Sequence, residues 1–356
     1  MPDHFSFEVE AAGPAGRAGV LQTPHGAVKT PAFMPVATQA AVKLLAPEEL
    51  EAAGTSIVVA NAYHLYLRPG VEVVAGVGGL HRFMSWPHAI LSDSGGFQIH
   101  SLAPLREVDD DGVTFRSHVD GQLLRLTPEL ATDIQRDLGA DLIMAFDYCT
   151  SYPTSRREAE KAVALTTAWA ARCRAAHDSP SQKLLGIVQG AVFEDLRERS
   201  AAQLVEMDFF GYAIGGLSVG EEPAQTAAYA AFTASLLPEH KIRYLMGVGR
   251  PEDIAPAVTA GVDMFDCVVP TREGRHGTAL TAEGRINLRQ SPHRNDDRPV
   301  DAECGCYTCR RFSRAYLRHL FLAGEHLAGR LVSIHNLYYL HGFVARLREK
   351  IMPEKN

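Results

Sequence analysis

Three of the chain's six cysteines fall within six residues: Cys304, Cys306 and Cys309, in the run CGCYTC. His335 follows at the expected start of a helix. Three thiolates and one imidazole satisfy a tetrahedral zinc ion completely, so the spacing points to a structural metal with no position left for a substrate. His319 and His326 lie nearby in sequence, which leaves the fourth ligand and the identity of the metal open. The plainer alternative is three unrelated buried thiols. A disulfide framework fits poorly, because disulfide-stapled secreted domains are shorter and richer in cysteine.

A second set of residues is acidic. Asp93 (SDSGG), Asp147 (FDYC) and Asp266 (FDC) each close a short apolar run. A carboxylate there is costly unless it has a partner or a task. Any one alone could be a helix N-cap or a loop residue. Together, at strand ends, they suggest glycosidic chemistry, in which one carboxylate attacks the anomeric carbon and another handles a proton. Asp266 and Cys267 should face opposite sides of their strand, and a Cys267 nucleophile would need a histidine close by. Gln189 ends another run and offers an amide to a base edge. Glycines at such ends (Gly95, Gly96, Gly190, Gly215, Gly216, Gly247 and Gly249) let a flat ligand approach the backbone. Arg272 and Arg275, in TREGRHG, could meet phosphates or stack on unpaired bases, or simply form a basic loop. No G-x-x-x-x-G-K-[ST] run occurs, which argues against ATP.

These side chains need a scaffold that gathers them. Eight apolar runs recur, at 31–38, 56–63, 89–97, 141–149, 183–190, 211–218, 243–249 and 261–271. Near-continuous apolar runs mark strands buried on both faces, as in parallel sheets. Helical patterns intervene at 127–139, with Thr127 as N-cap, and at 155–176, 193–207, 223–237 and 251–261. Eight strand–helix units predict an α/β fold, the (β/α)8 TIM barrel. Polar residues at the C-terminal ends of many strands favour closure, where they converge on one mouth, over an open doubly wound sheet. Two stretches interrupt the repeat. Residues 106–126, with two Asp-Gly signals, predict a β-hairpin insertion after the third strand. Residues 275–332 predict a zinc-binding insertion near the C-terminus. The expected division is a catalytic barrel, 1–274 and 333–356, around that insertion, with the last metal ligand opening the final barrel helix.

Composition sets outer bounds. The 356 residues are 46% hydrophobic and 22% charged, ordinary values for a soluble globular protein. No apolar run reaches the ~20 residues of a membrane span, and MPDHFSFEVE lacks the pattern of a secretion signal, so the expected compartment is the cytoplasm. Net charge is −7, yet residues 272–350 hold 14 Lys+Arg against 8 Asp+Glu. That asymmetry points to an anionic partner near the C-terminal quarter, or to a solvated arginine-rich surface.

The motifs SDSGGFQ, FRSHVDG, MAFDYC, GIVQGA, GGLSVGE, YLMGVG, FDCVVPTREGRHG and CGCYTC with its later histidine together resemble the tRNA-guanine transglycosylases, over nearly the whole chain. The resemblance implies a (β/α)8 barrel with a zinc subdomain. It implies exchange of guanine for the 7-deazaguanine preQ1 at the anticodon wobble position of tRNAs for Asp, Asn, His and Tyr, whose anticodon stem-loops share a U-G-U core. Asp266 matches the nucleophile that links to ribose C1′, and Asp93 the general acid/base. Asp147, Gln189 and the Gly216 backbone match the groups that read the purine edge. Phe97 and Met246 match the pair that sandwiches the base. Leu217 and Glu221 match a peptide that reorients to receive either guanine or the aminomethyl group, and Arg272 and Arg275 match contacts to nucleotides around the target. Cys149 and Val219 match two positions that set the room for queuine, which is bulkier than preQ1; the branched Val219 predicts preference for preQ1. Tyr148 departs from the glutamate usual in bacterial relatives. A homodimer is implied, with Phe83, Phe312, Tyr316 and His319 at its interface. Three alternative protein types would differ from this chain in specific ways. An archaeal-type enzyme usually has extra C-terminal RNA-binding domains, whereas this chain reaches Asn356 soon after the final barrel helix. A non-catalytic tRNA-binding subunit should lack Asp266. A hydrolase with catalytic zinc should draw its ligands from strand ends.

Overall fold

The computed structural model describes residues 5–102 and 106–353. Eight parallel strands close into a barrel: Ala32–Ala37, Ile57–Asn61, Ala89–Asp93, Leu142–Met144, Lys183–Val188, Gly211–Ile214, Ile242–Leu245 and Met264–Cys267. The eighth pairs back onto the first, Asp266 opposite Met34. Seven strands lie within the expected apolar runs and the seventh in order, Ile242–Leu245, begins one residue before its run, so the expected TIM barrel is the one observed. The five expected helices form as Pro128–Leu138, Arg156–Ala176, Glu194–Glu206, Pro223–Ser235 and Pro251–Thr259. Thr127 caps the first of them, its Oγ1 accepting the Leu130 N–H at 3.3 Å.

Period-two alternation divides the strand residues between two cores. Met34, Ile57, Leu91, Met144, Ile187, Tyr244 and Met264 point inward and pack together. Their neighbours Phe33, Val58, Ile90, Ile143, Val188, Leu245 and Phe265 pack outward against the helices. A side chain two residues beyond an inward one therefore stands in the next layer up, at the C-terminal mouth. Leu91 leads to Asp93, Ile187 to Gln189 and Met264 to Asp266.

Four features differ from the sequence reading. Before the barrel, Ser6–Gly13, Gly16–Thr23 and Gly26–Thr30 form an antiparallel sheet. Leu21 and Val28 of this sheet, with Phe5 just before it, join the inner core, so the sheet plugs the N-terminal end of the barrel. The insertion after the third strand is not a hairpin but a three-stranded meander, Arg106–Asp109, Gly112–Arg116 and Leu123–Leu126. The reason is that its two Asp-Gly signals are two turns, and Gly121 supplies φ +76 at the second. Arg272 and Arg275 lie not in a loop but on the helix Val269–Arg275, with Pro270 in its first turn.

Lastly, His335 does not open a helix. The final helix runs His326–Ile351, because Gly324 ends the preceding helix at φ +76 and nothing after His326 breaks the next. Gly329 is tolerated inside it because a side chain there would press on the Arg275 backbone. Ala328, Leu331 and Val332 of this helix pack with Ala279, Leu288, Val300, Leu317 and Leu320 in a small core of their own. Ile334, Leu337, Leu340 and Val344 pack in the barrel's outer core. One helix thus crosses the boundary expected at residue 332.

Candidate active site and metal centre

The mouth of the barrel holds a cavity of about 610 Å³. Of the sequence-predicted residues, it brings together Asp93, Asp147, Asp266, Gln189, Gly216, Leu217, Phe97, Met246, Cys149, Val219, Glu221 and Arg272. Arg275 stands one helical turn from Arg272, outside the lining. Among the described residues neither arginine pairs with a carboxylate, so both guanidinium groups remain available to an anion. Phe97 lines the cavity and is 48% exposed.

The two carboxylates at the reacting end differ in surroundings. Asp93 accepts hydrogen bonds from Asn61 Nδ2, from the Ala62 N–H at 2.9 Å and from Gln98 Nε2 at 2.7 Å. Burial nonetheless outweighs these donors, and with the charge of Asp266 pushes its pKa up to about 7. Asp266 is partly open to the cavity. Its Oδ1 accepts the Tyr244 hydroxyl at 2.6 Å and the Gly247 N–H at 2.9 Å, while Oδ2 accepts no hydrogen bond from the described residues. Burial raises its pKa against those two bonds. Cys267 faces the outer core, as alternation requires, and burial and the Asp266 charge push its thiol up to about 11. It is a poor nucleophile.

Deeper in the cavity, Asp147 accepts from Gln189 Nε2 at 2.8 Å and Ser94 Oγ at 3.2 Å, and burial raises it to about 6. Gln189 Oε1 is buried without a hydrogen-bond partner, so this edge is polar and incompletely satisfied. Glycine is needed around it: a Cβ on Gly96 would meet Asp147 Oδ1 at 2.6 Å, and one on Gly216, at φ +65, would meet Gln189 Oε1 at 2.4 Å. Glu221 accepts the N–H groups of Ser218 at 2.5 Å and Val219 at 3.0 Å and the Thr226 hydroxyl at 2.6 Å. Burial pushes its pKa up, but these donors prevail and hold it below the ordinary range. The Leu217–Ser218 peptide therefore turns its N–H toward Glu221. Tyr148 points away from the cavity, onto the helix Arg156–Ala176, and donates to Glu158 Oε1 at 2.7 Å.

Several residues here carry no obvious sequence signal of function. Tyr244 and Asn61 hold the two carboxylates. Arg197, fully buried, donates to the carbonyls of Ala191 at 2.7 Å and Gly215 at 3.1 Å and so braces the glycine turn. Asn61 was within reach, since it too ends an apolar run. Tyr244 shares a face with Met246 by period two. Arg197 sits in an ordinary helical pattern that gives no hint of burial.

Cys304, Cys306, Cys309 and His335 place their ligand atoms within 4.8 Å of one another, and neither His319 nor His326 joins them. His335 Nδ1 faces Cys309 Sγ at 3.3 Å and Cys306 Sγ at 3.6 Å. Its Nε2 lies 2.7 Å from the Leu280 carbonyl, which fixes the ring with Nε2 protonated and Nδ1 free to ligate. This donor set could hold a tetrahedral zinc ion, and it comes from the C-terminal module and its helix, not from strand ends.

Comparison with known proteins gives a consistent result. A family model described as queuine tRNA-ribosyltransferase matches residues 13–355. A queuine tRNA-ribosyltransferase of Thermoanaerobacter sp. (strain X514) is 53% identical over 340 residues, covering 95% of this chain and 91% of that protein. One from Pelotomaculum thermopropionicum is 52% identical over 351 residues, covering 99% and 95%. One from Gloeobacter violaceus is 54% identical over 352 residues, covering 98% and 93%.

Proposed function

The chain belongs to the queuine tRNA-ribosyltransferase family, the tRNA-guanine transglycosylases, and from that premise we propose that it replaces guanine with preQ1 at the anticodon wobble position of tRNA-Asp, -Asn, -His and -Tyr. The observation that carries the chemistry is the pair Asp93 and Asp266, two carboxylates in one cavity with different surroundings. Groups whose environments differ in this way divide the work of acid and nucleophile.

Asp266 Oδ2 attacks ribose C1′ as the glycosidic bond breaks, and Asp93 protonates the departing guanine. The incoming base then gives its ring proton to Asp93 and displaces Asp266 from C1′. Two inversions retain the anomeric configuration. One N-glycosidic bond replaces another, so no ATP is required. Asp147, Gln189 and the Gly216 backbone read the purine edge, with Phe97 and Met246 on its two faces. The Leu217–Ser218 peptide, held by Glu221, turns its carbonyl to the aminomethyl group of preQ1 and reverses for guanine. Cys149 and Val219 bound the space beyond that arm. Arg272 and Arg275 meet the extruded anticodon loop, whose target base must leave its stack to be reached. Cys304, Cys306, Cys309 and His335 would hold one structural zinc per chain, which would cross-link the module. The working unit is a homodimer through Phe83, Phe312, Tyr316 and His319, acting in the cytoplasm. Among the described residues no helix is long and apolar enough to cross a membrane.

The test is incubation of labelled guanine with unmodified tRNA. Incorporation mapped to the wobble nucleotide supports the reading; no incorporation, or label elsewhere in the tRNA, overturns it.

A further inference from the structure

At the opposite end of the barrel from the cavity, three residues from distant parts of the chain converge. His25 lies in the turn between two strands of the N-terminal sheet, His81 on the short helix Leu80–Met84, and Asp141 just before the fourth barrel strand. His25 Nδ1 is 2.7 Å from Asp141 Oδ1, and His81 Nε2 is 3.1 Å from Asp141 Oδ2. The two imidazoles stack with centroids 3.5 Å apart and planes 14° from parallel. All three ligand atoms lie within 4.8 Å of one another.

We propose that His25, His81 and Asp141 form a second metal site, for a borderline divalent transition cation of the zinc or nickel class. Metal–ligand bonds of ~2.0–2.2 Å place neighbouring donors about 3–3.5 Å apart, and the two imidazole–carboxylate separations here are 2.7 and 3.1 Å. Two imidazoles and a carboxylate suit such an ion better than magnesium or calcium, which take oxygen ligands. The carboxylate is already in its binding form. Burial works against it, but hydrogen bonds from His81, His25 and the Ile90 N–H, the last at 2.8 Å, hold its pKa below the ordinary range. The Ile90 N–H also fixes the orientation of the carboxylate.

Binding requires only that each ring proton move to the other ring nitrogen, leaving both histidines neutral and a dication beside the buried charge. His81 and Asp141 side chains are 12% and 1% exposed and His25 38%, so an ion would reach the site from solvent on the His25 side. The site sits on the face that governs stability in barrels rather than chemistry. Its metal would clamp the plug sheet to the barrel wall.

The experiment uses purified holoprotein with its cysteine site filled. Equilibrium dialysis against buffered micromolar free zinc, followed by elemental analysis, should find two zinc ions per chain in the wild type and one in His25→Ala and His81→Gln. Cobalt added to holoprotein should give visible absorption without a sulfur-to-metal charge-transfer band, absent in both variants. Zinc should raise the wild-type Tm by about 2 °C or more and leave the variants unmoved. Retained base exchange in the variants would certify their fold. A wild type that stays at one metal per chain, or variants that take up the second ion as the wild type does, would overturn the proposal and leave a hydrogen-bonded clasp only.

Discussion

The hydroxyl of Tyr244 and the N–H of Gly247 donate to one and the same oxygen of Asp266, Oδ1, at 2.6 and 2.9 Å. This leaves Oδ2 without a hydrogen bond from the described residues, as the oxygen the proposed reaction uses, and fixes its direction. Tyr244 is thus a positioning residue. Tyr244→Phe should lower kcat about tenfold with the KM for tRNA unchanged, the scale of one hydrogen bond to a charged group. It should also shift the acid limb of the pH profile upward, because the phenol favours the ionised carboxylate. Asp266→Asn should instead bind tRNA yet form no covalent complex on a denaturing gel. An adduct persisting there would reassign the nucleophile.

The pH profile should be bell-shaped. Asp93, raised to about 7, is protonated below that pH and loses the proton above it, and in the proposed reaction that proton goes to guanine. Asp266 must be ionised, and its pKa is raised as well, so rate should also fall on the acid side. In kcat/KM the alkaline limb should lie near pH 7 and should vanish in Asp93→Asn, with a rate loss of about 10²–10⁴. An alkaline limb unchanged in that variant would assign it to another group.

Chelation, or His335→Ala, should release the module at 275–332 and spare the barrel. Structural zinc contributes on the order of 10 kcal/mol in small peptides. Hydrogen exchange should speed up across the module while far-ultraviolet circular dichroism stays largely unchanged. Far less than one zinc per chain in the purified wild type would refute the assignment.

Val219 lines the cavity two residues beyond Leu217. A clash in a packed site costs ~1–3 kcal/mol, so the wild type should favour preQ1 over queuine. Val219→Gly should raise kcat/KM for queuine by about 10–100-fold. Equal efficiency for the two bases in the wild type would show that Val219 does not set the choice.

Tyr316 is 40% exposed and stacks on Phe312, ring centroids 5.5 Å apart. Phe312 also packs against the module's own core, so Tyr316 is the better probe of self-association. The wild type should be dimeric at micromolar concentration by light scattering, and Tyr316→Ala should weaken the dimer about tenfold. A monomeric wild type would end the idea.

The barrel was legible because each strand is buried on both faces, so that runs such as SIVVAN and DLIMAF read as parallel strands, and the polar residues at their ends favoured closure over an open sheet. Asp93 and Asp266 were legible for the opposite reason, as charges closing apolar runs. The N-terminal sheet was not. Its first strand, SFEVEAAG, alternates between exposed and half-buried positions and carries little apolar signal. His25, His81 and Asp141 were equally silent, since three separated polar residues acquire meaning only when the sheet folds under the barrel. The start of the last helix was missed because Gly329 looks like a breaker until Arg275 is seen lying against it.

That last helix sets an order in which abilities should be lost. Ser333 Oγ donates to the Thr271 carbonyl at 3.3 Å, and Asn336 Nδ2 to the Pro270 carbonyl at 2.9 Å. Both grip the short helix that carries Arg272 and Arg275, and His335 stands between them. On the proposed reading, a metal ion seated on His335 would therefore act at a distance as the datum from which Arg272 and Arg275 are measured. An ageing or metal-starved population should pass through a stage in which the enzyme still recognises the free base but no longer grips the nucleic acid.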